Sequence, residues 1–374
     1  MLLLHKNKEK NENNFTISKK YRNFAPIFTN KQIMKRILIV LAAIMSVSTA
    51  TAQNNEQQGK SFIKHLDVSL TAGSTGVGFD LSTPIGEYVK LRTGLSIMPR
   101  VELPTSFKLQ VGDSVETSKS KFEHLSERLS GITGKEVEPK ADMIRLPKFW
   151  NWNVLVDVYP FRENKHWKFT AGFYWGNKTI GVAYNTAECV PTLLAVNMYN
   201  GIYEKLHGKT LKELSNVKLI DLGEGYEDIA SDPNLLRRLQ KSMDYYGRMG
   251  VNMGKFSHDI KDEEGNVIHK EGDIYMLEPN NESMVKAEMY ANNFKPYLGF
   301  GYEGRLMKNN DRYLISFDCG AMFWGGTPRI VTHDGTDLTH DVEDIPGGVG
   351  SDVRFIGALK VFPVLNVRLT RKLF

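Results

Sequence analysis

The sequence predicts an all-β fold: an eight-stranded antiparallel up-and-down transmembrane β-barrel with long, partly helical outer loops. Three observations predict it. Eight segments alternate apolar and polar residues with a period of two. Aromatic residues gather at the ends of their apolar sides, and the connections between them alternate short and long. At 41% hydrophobic and 24% charged residues the balance is ordinary, and no run of eighteen or more apolar residues offers a membrane-spanning helix.

The elements follow in chain order. Residues 1–33 are basic, rich in Asn and Lys, and without periodicity; they read as an upstream start artefact, expected to be disordered. Met34-Lys35-Arg36, the apolar run ILIVLAAIMSV and the small-residue site Ala50-Thr51-Ala52 make a secretory signal peptide over 34–52. The mature part, 53–374, then carries 39 Lys and Arg against 41 Asp and Glu. The +5 of the whole chain belongs to the leader, so no nucleic-acid footprint is left. Cys189 and Cys319 are the sole cysteines; they give no disulfide framework, and neither follows the leader as a lipid-anchored residue would.

In the first strand Leu66, Val68, Leu70 and Ala72 oppose Asp67, Ser69 and Thr71, and after a turn at Gly73–Gly76, Val77, Phe79 and Leu81 oppose Gly78, Asp80 and Ser82. Val89, Leu91, Thr93, Leu95 and Ile97 oppose Lys90, Arg92, Gly94 and Ser96. The stretch KFWNWNVLVDVYPFRENKHWKFTAGFYWG, 148–176, holds two more strands. Trp150, Trp152, Val154, Val156 and Val158 share one side of the first; Trp167, Phe169, Ala171, Phe173 and Trp175 share one side of the second. Phe294, Leu298, Phe300 and Tyr302, then Tyr313, Ile315, Phe317, Cys319, Ala321 and Phe323, and last Leu365, Val367 and Leu369 complete the set.

A soluble sandwich alternates too, so the placement of aromatics and turns decides. Trp150, Trp152, Trp175 and Phe323 mark one interface, and Tyr88, Phe161, Trp167 and Tyr313 the other, as an aromatic girdle. Short turns at Pro84–Glu87, Arg162–Lys165 and Met307–Asp311 fall on one side; long loops at 99–147, 178–290 and 326–360 fall on the other. The long loops are expected to form a folded cap. Residues 191–206 and 233–246 read as helices, 256–277 as a hairpin turning at Glu264-Gly265-Asn266, and Phe122–Leu129 as an amphipathic stretch. Residues 179–185 and 285–293 are candidates to extend strands beyond the bilayer.

The segments STGVGFDLSTPIGEYVKLRTGLSIMP, VLVDVYPF, FTAGFYWG, KPYLGFGYEG, YLISFDCGAMFWGGTPRI and PVLNVRLTRKLF resemble the small outer-membrane β-barrel proteins of Gram-negative bacteria, the porin-like and opacity-like group with OmpX- and OmpW-type barrels. The terminal Phe374 is similar to that group's C-terminal aromatic, although Leu365, Val367 and Leu369 run one residue out of phase with it. The resemblance implies a barrel in the cell outer membrane and no single activity.

The inward parity collects charge: Asp67, Asp80, Lys90, Arg92, Asp157, Lys168, Glu303, Asp318 and Arg368, with Arg305 as a further base. Pairing across the turn at Pro84–Glu87 sets Asp80 opposite Lys90, places Asp157 at the depth of Lys90 and Arg92, and brings Arg368 to Asp67 on closure. Charges withdrawn from water need partners, and an eight-stranded barrel is just filled by its own side chains, so an ionic plug is favoured over a pore.

Catalytic sets are absent from the pattern. Ser316 faces inward with no His on its strand, and none of the nine histidines is expected within a strand. THDGTDLTHD crowds His333, Asp334, Asp337 and His340 as candidate metal ligands, but the spacing matches no strong motif and reads rather as a solvated loop. GVGFD and GFGYEG sit in strands, not before helices, which excludes phosphate loops. The expectation is a non-enzymatic integral outer-membrane protein without a cofactor, displaying a folded outer region to an unidentified extracellular ligand. Its other partners would be outer-membrane lipid, lipopolysaccharide and the barrel-assembly machinery. The alternatives are a narrow porin-like channel for small or hydrophobic solutes and a lipid-acting enzyme.

Overall fold

The computed structural model describes residues 65–111, 127, 130–131, 140–214, 233–308 and 310–373. The signal peptide, the upstream stretch, the amphipathic stretch at 122–129 (save for residue 127) and Phe374 lie outside them. Asp67–Lys372 forms one compact unit.

Its strands in chain order are β1 (Asp67–Gly73), β2 (Gly76–Pro84), β3 (Val89–Ile97), β4 (Leu103–Val111), β5 (Lys140–Pro147), β6 (Trp150–Val158), β7 (Trp167–Gly176) and β8 (Thr179–Asn185). Helix α1 (Val190–Leu206), the short α2 (Leu211–Leu214) and α3 (Pro233–Tyr246) follow. Then come β9 (Met249–Phe256), β10 (Ile260–Lys261), β11 (Val267–His269), β12 (Ile274–Leu277), β13 (Lys286–Tyr290), β14 (Phe294–Met307), β15 (Asn310–Phe323), β16 (Arg329–Thr332) and β17 (Val342–Glu343). Helix α4 (Gly347–Ala358) and β18 (Val361–Lys372) end the unit.

Eight strands close into an antiparallel barrel in the order β1-β18-β15-β14-β7-β6-β3-β2. They are the eight segments with period-two alternation. Closure leaves no unpaired edge, which in lipid is the condition for a sheet to exist at all. The alternation resolves into two surfaces. Phe169 and Leu298 are each 58% exposed on the outside, whereas Lys168, between Trp167 and Phe169, is 1% exposed on the inside. Val77, Phe79, Phe300, Phe317, Leu365 and Val367 continue the exposed apolar band. A patch of this extent is too large to face water and suits acyl chains.

The long loops hold more sheet than the sequence predicts. A second sheet runs β12-β9-β4-β5-β8-β13-β16, with β17 on β9. Its central strands prolong barrel strands past short breaks: β5 leads into β6, β7 into β8, and β13 into β14. Backbone bonds cross the junction, from Met98 N to Phe149 O at 2.9 Å and from Lys148 N to Ile180 O at 2.8 Å. Asn177 pins the same level by donating from Nδ2 to Lys148 O at 2.9 Å and accepting from Trp150 N at 3.0 Å.

Helix α1 carries Pro191 near its start, where a missing N–H costs nothing. It buries Leu193, Val196, Tyr199 and Leu206 against the second sheet's core, which includes Val111, Met143, Met249, Val251 and Leu277. Asn200 on this helix pairs with Met249 like a strand neighbour, accepting from its N–H at 2.9 Å and donating to its carbonyl at 2.7 Å. The hairpin β10–β11 turns through Gly265 at φ +90°, a conformation that favours glycine. His269 ends β11, so one histidine does lie in a strand, contrary to expectation.

Candidate functional site

Two features sit in line inside this molecule: an ion-filled barrel and, in the outer sheet, an apolar chamber. The barrel interior is built by the inward parity of the barrel strands. Asp157 on β6 lies 3.2 Å from Arg92 and 3.4 Å from Lys168. Asp318 on β15 lies 2.9 Å from Arg92 and 2.7 Å from Lys168. Arg368 on β18 lies 3.5 Å from Glu303, 3.6 Å from Asp318 and 3.9 Å from Asp157. Lys90 bridges Asp67 at 3.1 Å and Glu303 at 3.4 Å.

Neutral groups complete the network. Thr170 donates to Asp157 at 2.7 Å and Ser316 to Glu303 at 3.0 Å. Each buried charge thus has partners, which is the condition for its desolvation to be offset. A gap beside Asp80 and Arg92 measures only about 10 Å³, at the limit of what one water needs.

Three sequence expectations are corrected. Asp80 stands opposite Gly94, not Lys90, which lies across from Pro84. The β2–β3 turn therefore centres about two residues later than a pairing of Asp80 with Lys90 requires. Asp80 instead accepts from Thr71 at 2.6 Å and Asn153 at 3.0 Å. Arg368 pairs with Thr71, while Asp67 faces Lys372, so the two do not meet. The stagger of barrel closure offsets β18 by four residues from the assumed match. Arg305 binds Asp311 in the exposed turn and takes no part in the interior.

The reading also missed Lys295. It is 0% exposed, and its ammonium donates to Asn151 at 3.2 Å. It shares the inward parity of Tyr297 on β14, so the signal was present in the alternation.

Above the ions comes an apolar gasket. Leu155, Tyr174, Tyr297, Met322 and Val364 pack with Phe362, which also touches Phe149, Ile180 and Trp324 on the chamber side. Of the girdle residues, Trp150, Trp152, Trp175 and Phe323 are exposed at the outer end. Phe161 and Trp167 are exposed at the opposite end, with Tyr88 and Tyr313 half-buried. Tyr302 joins that ring unpredicted, with its ring centroid 5.3 Å from Trp167.

The chamber has a volume of about 370 Å³, within the range of small-molecule sites. Its walls come from β4, β5, β8, β13 and α4, with Phe107, Met143, Val182, Met289, Val353 and Ile356 among the lining. Arg145 and Asp352, both half exposed, form an ion pair between β5 and α4 at its solvent-facing rim.

Of His333, Asp334, Asp337 and His340, Asp337 and His340 meet at 2.9 Å, but the four do not converge; among the described residues no group of three His, Cys, Asp or Glu side chains could hold a metal ion. Tyr275 donates to Asp334 at 2.7 Å, and Arg329 donates to Asp337 at 2.7 Å. Burial pushes the Asp334 carboxyl up, but bonds from Thr332 and Tyr275 outweigh it and hold the group below the usual range. Asp337 is likewise held low, with Arg329 overcoming burial. Burial and the Asp334 charge push the Tyr275 phenol up. His258 stands between Ser257 at 3.0 Å and Asp341 at 3.6 Å, but on the exposed surface. The same Ser257 hydroxyl reaches the His340 carbonyl at 3.1 Å. That is not the buried, oriented array acyl transfer needs.

Together these features define a closed membrane β-barrel, filled by its own charges and carrying a folded outer sheet: the fold of the small outer-membrane barrels. Among solved structures the chain is similar to CarO2 and CarO of Acinetobacter baumannii, each at 14% identity and a TM-score of 0.31. Those matches cover 82% and 84% of this chain and 98% and 99% of theirs. It is also similar to a major outer membrane protein from Thermus thermophilus, at 10% identity and a TM-score of 0.26, over 82% of this chain and 98% of that one. No protein-family model matches the sequence, and no curated protein matches it.

Proposed function

We propose that the protein is a non-conducting integral outer-membrane protein, exported through its signal peptide, whose barrel anchors a folded outer region that binds a small ligand without transforming it. The observation that carries this reading is the vertical order of ion plug, apolar gasket and open chamber. A channel needs a continuous wet path, whereas Asp157 and Lys168 are fully buried across the lumen and locked to Arg92 and Asp318. A receptor needs a shaped, largely apolar pocket, and the volume and lining of the chamber support that reading. On this reading the partners are outer-membrane lipid and lipopolysaccharide around the exposed belt, the assembly machinery during insertion, and a ligand from outside. Planar-bilayer recording tests it: the reconstituted protein should insert without discrete single-channel openings, and steady openings would reject the plugged anchor.

A further inference from the structure

The chamber's chemistry points to a ligand class, an inference that rests on the ligand-binding reading above. Its polar lining is sparse: Thr105, Arg145, Glu288, Trp324, Thr332 and Asp352. Most of these groups are already engaged. Thr332 bonds to Tyr275 and Asp334, Glu288 is held by Lys286 and Tyr290, and Asp352 by Arg145. The indole N–H of Trp324 is different. The residue is 4% exposed, and Nε1 has no hydrogen-bond partner.

An unmet buried donor is costly, and buried water settles only where two to four polar groups can hold it. On the chamber side Trp324 packs against Phe149, Ile180 and Phe362, whose side chains offer none. A ligand acceptor supplies what the protein lacks. Charge narrows the class further. Arg145 also has an unpartnered Nε, but its guanidinium is committed to Asp352, and Glu288 adds a second carboxylate to the lining. Both carboxylates are already paired, Asp352 with Arg145 and Glu288 with Lys286, so no free charge is left to offset that of an ionic guest.

We infer that the chamber binds a neutral, compact, largely apolar molecule through a single carbonyl, ether or hydroxyl oxygen that accepts from Trp324, with Arg145 and Asp352 closing the rim from β5 and α4. The volume, equal to roughly a dozen waters at their liquid density, admits a small molecule and not a folded chain.

Benzophenone is a suitable probe: neutral, apolar, with one carbonyl, and photoreactive toward nearby C–H bonds. The full-length protein in lipid nanodiscs is irradiated with benzophenone or with anionic 4-benzoylbenzoate, and labelled peptides are mapped. Saturable labelling of Met143, Val182, Met289 or Val353 by benzophenone, weaker for the anion, is expected. Trp324→Phe should raise the half-saturating concentration roughly three- to tenfold, the worth of one hydrogen bond. Ile356→Trp should abolish chamber labelling by filling it.

Labelling confined to the lipid belt at Phe169 or Leu298 would overturn the assignment, and wild-type mapping alone shows this should a variant misfold. An unchanged Trp324→Phe curve would overturn the acceptor role, and preference for the anion would overturn neutrality. Loss of labelling in a barrel that stays silent in bilayers rejects only the ligand class; ion conduction rejects only the plugged anchor.

Discussion

Asp157 and Arg92 meet at 3.2 Å in the middle of the barrel, the carboxylate fully buried and the guanidinium almost so. Asp157 also lies within ion-pair distance of Lys168 and Arg368. Removing it would leave Arg92, Lys168 and Arg368, all buried, to share Asp318 and Glu303. Asp157→Ala should therefore destabilise the barrel by about 3–5 kcal/mol, the usual cost of breaking a buried pair from one side. Thermal unfolding followed by circular dichroism or gel heat-modifiability measures it, and an unchanged midpoint would refute the shared network.

Gly301 makes room for that network. A Cβ there would fall 2.6 Å from the Asp318 carboxylate and 2.9 Å from Lys168 Cε. Gly301→Ala should cost about 1–3 kcal/mol, as overpacking in a filled interior does. Because Asp318 and Lys168 are shared, the combination with Asp157→Ala should be non-additive in chemical denaturation.

Leu298 occupies the opposite surface, mid-strand and paired with Ala171. Leu298→Lys should lower stability in lipid vesicles by about 2–4 kcal/mol, the penalty for a cation near the bilayer midplane. Lys replacing exposed Val267 in the outer hairpin should change it little.

The outer region should be acid-sensitive through Asp334 and Asp337. Both carboxyls are held below their ordinary value in the folded protein. Their contribution is therefore fully present above the unfolded value of roughly 4 and is lost as pH falls through the lower folded values. Limited pepsin digestion in nanodiscs should cut the outer region increasingly below about pH 4, while the barrel persists. Asp334→Asn should flatten that dependence; an identical acid profile for the variant would contradict the assignment.

The barrel was legible because each of its strands separates two solvents, lipid outside and a polar interior within. Trp167-Lys168-Phe169-Thr170 shows the resulting alternation undiluted. Of the outer sheet, β8 and β13 were legible as extensions at 179–185 and 285–293, but its central strand β9 was not, because it is covered on both faces. In β9, Met249, Gly250, Val251, Met253, Gly254 and Phe256 are all buried, so no period survives. The ionic residues were recoverable from parity, but their partners were not. Register depends on where the β2–β3 turn centres and on the stagger at closure, and neither leaves a mark in composition. The chamber was invisible for a similar reason: Leu103, Met143, Val182, Met289 and Val353 come from five separate segments and converge only in three dimensions.

The most direct test is the accessibility of nitroxide labels along β7 and β14 in lipid bilayers, after Cys189 and Cys319 are replaced. Labels at Phe169, Ala171, Leu298 and Phe300 should collide freely with dissolved oxygen and hardly with a polar nickel chelate, while those at Thr170 and Tyr297 should be shielded from both. Oxygen access at Thr170 and Tyr297 with shielding at Phe169 and Leu298 would mean that the apolar side faces a protein interior, and would contradict the account.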